Sequence, residues 1–422
     1  MKVIKRDGRK VKFNKNKIVE AIQNAFIEID GQTSETSTSI ASSIAEFVEK
    51  KDKDMSVEEI QDIVENKLMT SRRKDVAKAY ILYREQRNIA RERKSELILT
   101  IAEKLTASNI QNQNANVDEA SFGGRMGEAN SALMRKYALD YCLSDVSKEN
   151  HLNNEVYIHD LDHYAIGDHN CLSIPFDDLL ANGFKTRQTD VRPAGSVSTA
   201  FQLVAVIFQL QSLQQFGGVA ATHLDWTMVP YVRKSFGKHY KNGLKYISGT
   251  TEEDIDYEIE NMLKDIKNTS LDDAEWQAYD LKAYQYAMDM TTKEIKQAVE
   301  GMYHNLNTLQ SRSGNQLPFT SINYGTCTLT EGRMITKAIL EGSLDGVGKL
   351  HKTSIFPCGI FQCMKGVNRK QGDPNYDLFQ LALKSTAKRL YPNYANCDWS
   401  GNEGYDKNDP RTFFSTINKT VA

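Results

Sequence analysis

Beyond about residue 100 this chain alternates short β-like runs with long helical stretches, and that alternation limits its fold more than any other feature. Strands separated by helices pair most readily in parallel, with helices layered on the sheet, so an α/β architecture is expected. Val156-Tyr157-Ile158-His159 and Pro318-Phe319-Thr320-Ser321-Ile322-Asn323-Tyr324 read as strand-like. Phe122-Gly123-Gly124 leads into a helix to about Ser144, and residues 376–390 form another. Residues 200–216 are apolar apart from scattered Gln, which predicts a buried helix. Residues 251–309 are rich in Asp, Glu and Lys with no Gly before Gly301, and read as two or three exposed helices.

The first 93 residues have a different character. Val3-Ile4 and Val11-Lys12-Phe13 flank Asp7-Gly8, the strongest short hairpin signal. Asn14 is placed to cap a helix whose apolar residues, Ile18, Ala21, Ile22, Ala25 and Phe26, recur at helical spacing. A polar loop over 31–38 precedes a second helix over 39–50. Ser56 with Glu59 makes a capping box ahead of Ile60, Ile63 and Val64, and a fourth helix covers 75–93. Residues 1–93 therefore read as one domain, a basic hairpin with helices, and 94–422 as a second. The charged residues 84–94 serve as the connection.

Composition narrows the function. Lys and Arg total 53 against 55 Asp and Glu, so the formal charge is −2. That balance argues against direct nucleic-acid binding, which calls for a strongly basic domain. No apolar run reaches the roughly 18 residues of a membrane span. The start, Met1-Lys2-Val3-Ile4-Lys5-Arg6, lacks the apolar core of a secretory signal, so a cytoplasmic protein is expected. Six cysteines spread over the chain, Cys142, Cys171, Cys327, Cys358, Cys363 and Cys397, make no disulfide framework. Cys358 and Cys363 form only one loose pair, and His159, His163 and His169 among Asp160, Asp162 and Asp168 lack a helical metal motif, so no metal ligands are assigned. Lys5, Arg6, Arg9, Lys10 and Lys12 crowd one tight turn; they suit a polyphosphate, though charge alone favours a solvated edge hairpin. Cys171 alone reads as an inert buried thiol.

Taken together, the motifs resemble one family. Val3-Ile4-Lys5-Arg6-Asp7-Gly8 with Phe13 and Lys17-Ile18 resembles an ATP-cone, the allosteric nucleotide module of ribonucleotide reductases. Asn114-Ala115-Asn116-Val117-Asp118-Glu119, Tyr157-Ile158-His159-Asp160-Leu161-Asp162, Asn170-Cys171-Leu172, Gln188-Thr189-Asp190-Val191-Arg192-Pro193, Gln214-Gln215-Phe216-Gly217-Gly218, Pro318-Phe319-Thr320-Ser321-Ile322-Asn323 and Tyr391-Pro392-Asn393-Tyr394 are similar to anaerobic (class III) ribonucleoside-triphosphate reductases. The resemblance implies an ATP-cone followed by a ten-stranded α/β barrel of the glycyl radical type around a finger loop. It implies radical reduction of ribonucleoside triphosphates to deoxyribonucleotides for DNA synthesis, with formate or a thiol as reductant. Implied partners are a second copy in a homodimer and a radical S-adenosylmethionine activase. Val3, Lys5, Arg6, Asp7, Gly8, Lys17 and Ile18 match the cone's pattern for ATP or dATP as effectors, and Cys171 matches the family's second catalytic cysteine.

One departure stands out. Where the family continues with Met-Gly-Cys-Arg after the stretch resembling Arg411-Thr412-Phe413-Phe414-Ser415-Thr416, this sequence reads Ile417-Asn418-Lys419-Thr420-Val421-Ala422. Lys419 stands at the place of the radical cysteine. The expectation is a barrel truncated at its finger loop, with the glycyl radical and the zinc site in a missing C-terminal part. A second exon or chain would supply that part, and the chain alone would be inactive and poorly soluble. The alternative is a non-catalytic ATP- or dATP-binding fragment or regulator.

Overall fold

Three capping devices fix the helices of the first region. In the computed structural model, which describes residues 2–5, 8–92, 96–106, 121–167, 171–215, 217–310, 317–399, 401 and 404–416, the chain divides into compact units over 1–102 and 103–422. The first unit runs β1 (Lys2–Ile4), β2 (Lys10–Lys12), α1 (Lys15–Asp30), α2 (Glu35–Glu49), β3 (Met55–Ser56), α3 (Val57–Thr70) and α4 (Lys74–Glu92). β1 lies between antiparallel β2 and parallel β3. Asn14 caps α1 by accepting from the Asn16 N–H, and left-handed Gly31 (φ 73°) closes it. Ser34 and Ser37 exchange hydrogen bonds at the start of α2, so this helix begins four residues before the expected Ser39. Ser56 and Glu59 form the expected capping box on α3. The stripes meet in a small core that includes Ile22, Phe26, Val48, Val64 and Leu68. The charged stretch read as a connection is helical as far as Glu92, the end of α4.

Next come α5 (Glu96–Thr106), α6 (Phe122–Tyr137), α7 (Asp145–Leu152), β4 (Leu172–Ser173), α8 (Phe176–Asn182), β5 (Phe184–Lys185), β6 (Asp190–Val191), α9 (Val197–Ser212), β7 (Val219–Ala221), α10 (Leu224–Thr227) and α11 (Val229–Gly243). They are followed by α12 (Tyr257–Lys264), α13 (Ala274–Tyr279), α14 (Leu281–Thr308), β8 (Thr320–Tyr324), α15 (Thr330–Asp345), β9 (Cys358–Cys363), α16 (Tyr376–Arg389) and β10 (Asn393–Asn396). Among the described residues the second unit contains one five-stranded sheet, ordered β10-β9-β8-β7-β4, in which every pairing is parallel. The expected α/β class is therefore what the chain adopts. Its main core gathers Phe201, Phe208, Phe236, Tyr240, Trp276 and Phe361. Asp225, fully buried after β7, accepts N–H bonds at 2.9 Å from Gly325 and Cys327 beyond β8, tying neighbouring loops together.

Three expectations change. Residues 156–159 make no strand: Asn154 (φ 60°) and Asp160 (φ 52°) turn the chain on either side. The Ile158 N–H there donates to His151 Nδ1 instead of a neighbouring strand. The helix from Phe122 ends at Tyr137 and passes into a wider π turn over Ala138–Cys142. Residues 251–309 do hold three helices, but α14 is not simply exposed: Ala283, Ala287, Ile295, Val299, Met302 and Leu306 form a buried stripe that its polar composition hides.

Candidate functional site

Two arrangements carry functional chemistry, one in each unit. In the first, β1, β2, α1, α3 and α4 enclose a cavity of about 210 Å³. Val3 and Lys5 reach it from β1 and the turn that follows, Lys12 from β2, and Lys17 and Ile18 from α1. Val57, Ile60 and Gln61 of α3 and Tyr80 of α4 complete it. Its floor is apolar, with Ile18, Ile60 and Tyr80 buried. Burial pushes the Tyr80 phenol up to about 12, so the hydroxyl stays protonated and can donate.

Charge distinguishes this cavity. Lys10 pairs with Asp54 at 3.6 Å and Lys15 with Glu46 at 2.9 Å, and neither lines the cavity. Lys5, Lys12 and Lys17 do line it, and the described residues offer them no acidic partner. Three uncompensated ammonium groups beside an apolar floor suit a ligand with an anionic tail and a flat apolar head. Of the residues expected here, Val3, Lys5, Lys17 and Ile18 come together. Gly8 does not line the cavity; its φ of 79° serves the hairpin turn. Arg6 and Asp7 lie outside the described residues. Sequence reasoning missed Gln61 and Tyr80, which arrive from helices 40 or more residues away and bear no local signal.

The second arrangement is one face of the parallel sheet. Register aligns Ser173 with Ala220, Ala220 with Ser321, Ser321 with Cys358 and Asn323 with Ile360, so these side chains share a face. Gln362 lies two residues beyond Ile360 on that face, and Cys171 two before Ser173. A buried parallel sheet normally presents aliphatic side chains on both faces. Here Ser321, Asn323 and Gln362 are completely buried on one face. The opposite face supplies Ala221, Ile322, Tyr324 and Phe361 to the core.

Cys171 sits just before β4, half-buried, with its Sγ 3.4 Å from the Gly218 N–H. Residues 413–416 cross the polar face. Asn323 Nδ2 donates to the Thr416 carbonyl at 3.1 Å, and its Oδ1 accepts from the Thr416 N–H at 3.1 Å. Gln362 Nε2 donates to the Phe414 carbonyl at 2.9 Å. Ser321 Oγ and Gln362 Oε1 are buried without a hydrogen-bond partner, a cost of about 1–3 kcal/mol each. The segment Pro318–Tyr324 was visible in the sequence as a strand, but Ser321, Asn323 and Gln362 were not singled out as site residues.

Asp168 and His169 lie outside the described residues. His159 Nδ1 stands 2.6 Å from Asp160 Oδ2, and His163 Nε2 3.9 Å from Asp162 Oδ2. Among the described residues no three His, Cys, Asp or Glu side chains converge as metal ligands. Cys358 and Cys363, an odd number of residues apart in β9, point to opposite faces. The described residues therefore contain no ligand set for a zinc ion. No described helix is long and apolar enough to cross a membrane.

Comparison with known proteins adds the following. Residues 113–415 match the family model described as anaerobic ribonucleoside-triphosphate reductase, and residues 1–89 the one described as ATP cone domain. The chain is 32% identical over 400 residues to the anaerobic ribonucleoside-triphosphate reductase of Haemophilus influenzae, covering 94% of this chain and 52% of that protein. It is equally similar, 32% over 400 residues, to the Escherichia coli enzyme of that name, covering 94% and 51%. A solved structure of the Thermotoga maritima anaerobic ribonucleotide reductase, with dATP bound in the specificity site, superposes with a TM-score of 0.46 at 15% identity, covering 73% of this chain and 48% of that one. The chain spans about half the length of the curated relatives it matches.

Proposed function

Because the chain belongs to the anaerobic ribonucleoside-triphosphate reductase family, we propose that it forms the N-terminal half of a cytoplasmic enzyme reducing ribonucleoside triphosphates to deoxyribonucleotides. In this reading residues 1–93 are an effector domain and 94–422 the first part of a ten-stranded catalytic barrel. The observation that carries it is the polar face of the sheet. Hydroxyl, amide and thiol groups, with two buried polar atoms lacking partners, stand where a parallel sheet ordinarily carries aliphatic side chains. A ribose, dense in hydroxyls, is the matching ligand.

The chain's own residues then have definable tasks. Cys171 Sγ, held beside the Gly218 N–H, is the thiol that helps reduce the sugar. The sheet's buried position keeps water from reactive intermediates. A radical generated elsewhere in the complete enzyme supplies hydrogen abstraction; the rest of the barrel, a second copy of the subunit and an activase are required partners. The cone binds ATP or dATP, with Lys5, Lys12 and Lys17 on the phosphates and Ile18, Ile60 and Tyr80 against the base.

The deciding experiment completes the chain with a C-terminal half taken from a relative and activates it anaerobically. Cys171→Ala is expected to abolish turnover while ATP binding persists; retained turnover would overturn the catalytic assignment. For the cone, Lys17→Gln in the 422-residue chain is expected to weaken ATP binding about tenfold in calorimetry, the loss of about one charge-assisted contact. Unchanged affinity would remove the cavity from the reading.

A further inference from the structure

A second cavity, of about 410 Å³, opens in the C-terminal unit between α11, the turn after α12, and residues 409–411. Its lining shares no residue with the polar face of the sheet or with the cavity of the first unit. Its walls hold cations from three parts of the chain: Lys234 on α11, Lys267 in the turn, and Arg411. Two carboxylates also line it, and both are committed. Asp177 takes His223 Nε2 at 2.8 Å and the Thr227 hydroxyl at 2.6 Å. Against the desolvation that burial imposes, those two hydrogen bonds hold Asp177 below the ordinary carboxylate range, so it is ionised and its oxygens are engaged by those two donors. Asp409 binds Arg411 through two bonds, at 2.9 and 2.8 Å.

The lysines are left over. Lys234 Nζ donates to the Ala194 carbonyl at 2.9 Å and lies 5.0 Å over the Tyr231 ring, but no described carboxylate pairs with it. No described carboxylate pairs with Lys267 either. Partial burial, and then the proximity of Lys267, pull the Lys234 ammonium below its usual pKa. Trp226 and Tyr231 give the cavity flat aromatic walls.

We propose that this cavity is a binding site for a phosphoryl oxyanion, held between Lys234 and Lys267 with Arg411 at its rim. A phosphate bears close to two negative charges and three acceptor oxygens, which suits cations approaching from different sides. A carboxylate offers only two coplanar oxygens and one charge. The proposal does not depend on the catalytic reading, since it concerns neither Cys171 nor the cone's lysines.

The test uses tryptophan emission of the 422-residue chain. All three tryptophans, Trp226, Trp276 and Trp399, lie in the second unit, so binding in the cone has no reporter of its own. Inorganic phosphate, pyrophosphate and acetate are titrated at matched ionic strength, with sodium chloride as control. A saturable change with phosphate or pyrophosphate is expected, with acetate and chloride silent. Tenfold tighter pyrophosphate binding would identify a polyphosphate chain as the natural group; equal binding would identify a single phosphate. Lys234→Met and Lys267→Gln should each weaken binding at least tenfold. Lys267 is exposed, so its variant keeps the test valid if loss of the Ala194 contact unfolds Lys234→Met. No saturable response, an equal response to acetate, or unchanged affinity in Lys267→Gln would overturn the site.

Discussion

The cavity of the first unit and the polar face of the second solve the same problem by different means. The cone takes its cations from a hairpin and the adjoining helix, within residues 5–17, and adds an apolar floor from later helices. The sheet face joins residues from 171 to 416, brought together only by parallel register. One site is set by charge left unpaired at a surface, the other by polarity placed where packing would prefer aliphatic groups. The first can be altered by changing a single ammonium, whereas the second cannot be altered without touching the core that supports it.

That contrast can be broken in several places. Trp276, fully buried against Tyr240 (ring centroids 4.7 Å apart) and Phe236, lies in the core of the second unit. Trp276→Ala is expected to destabilise that unit by about 3–5 kcal/mol, seen in thermal melts as loss of one transition while ATP binding persists. If ATP binding vanished with it, the units would not be independent. A smaller effect, on the order of 2 kcal/mol, concerns the clamp joining α9, α11 and α14. Despite desolvation, hydrogen bonds from His239 and Ser198 bring the Glu294 carboxyl down to about 2. A depressed carboxylate stabilises the fold above its unfolded pKa, near 4.5, and that stability is lost as pH falls toward 2. The second unit's melting temperature should therefore fall across that window, and Glu294→Gln should flatten the dependence.

Two finer tests address the first unit. Lys12→Gln should weaken ATP binding about tenfold, or roughly 1.4 kcal/mol, while Lys10→Gln, whose ammonium already faces Asp54, should stay within about twofold. Equal effects would mean that pairing does not sort the lysines. Ser56→Ala, which removes half of the α3 capping box, should cost about 1 kcal/mol, measured by denaturant unfolding of the first unit. The second unit's transition should not move.

These differences also explain what could be read in advance. Asn14, the Ser56–Glu59 box, the strand at Thr320–Tyr324 and the helix at Tyr376–Arg389 rest on signals a few residues long, and the structure agrees with each. Val3, Lys5, Lys17 and Ile18 were named from the resemblance, and the fold brings the four to one cavity. Tyr80 and Gln362 were not, because their roles arise from chain segments far away in sequence. Residues 156–159 misled because four β-prone residues mean little without a neighbouring strand, and positive φ at Asn154 and Asp160 leaves room for none. The buried stripe on α14 was masked by charged residues on its other faces.

The unpartnered Ser321 Oγ and Gln362 Oε1 have a consequence for how this sequence should drift over generations. Each unpartnered oxygen costs stability, although Gln362 also holds the Phe414 carbonyl through its Nε2. In a lineage where the sheet face still meets a hydroxylated ligand, these two positions should resist replacement. In a lineage where it no longer does, Ala or Val at 321 should accumulate early, ahead of changes at 362, whose amide also holds the Phe414 carbonyl, and in the surrounding core. The two side chains thus act as a record of use.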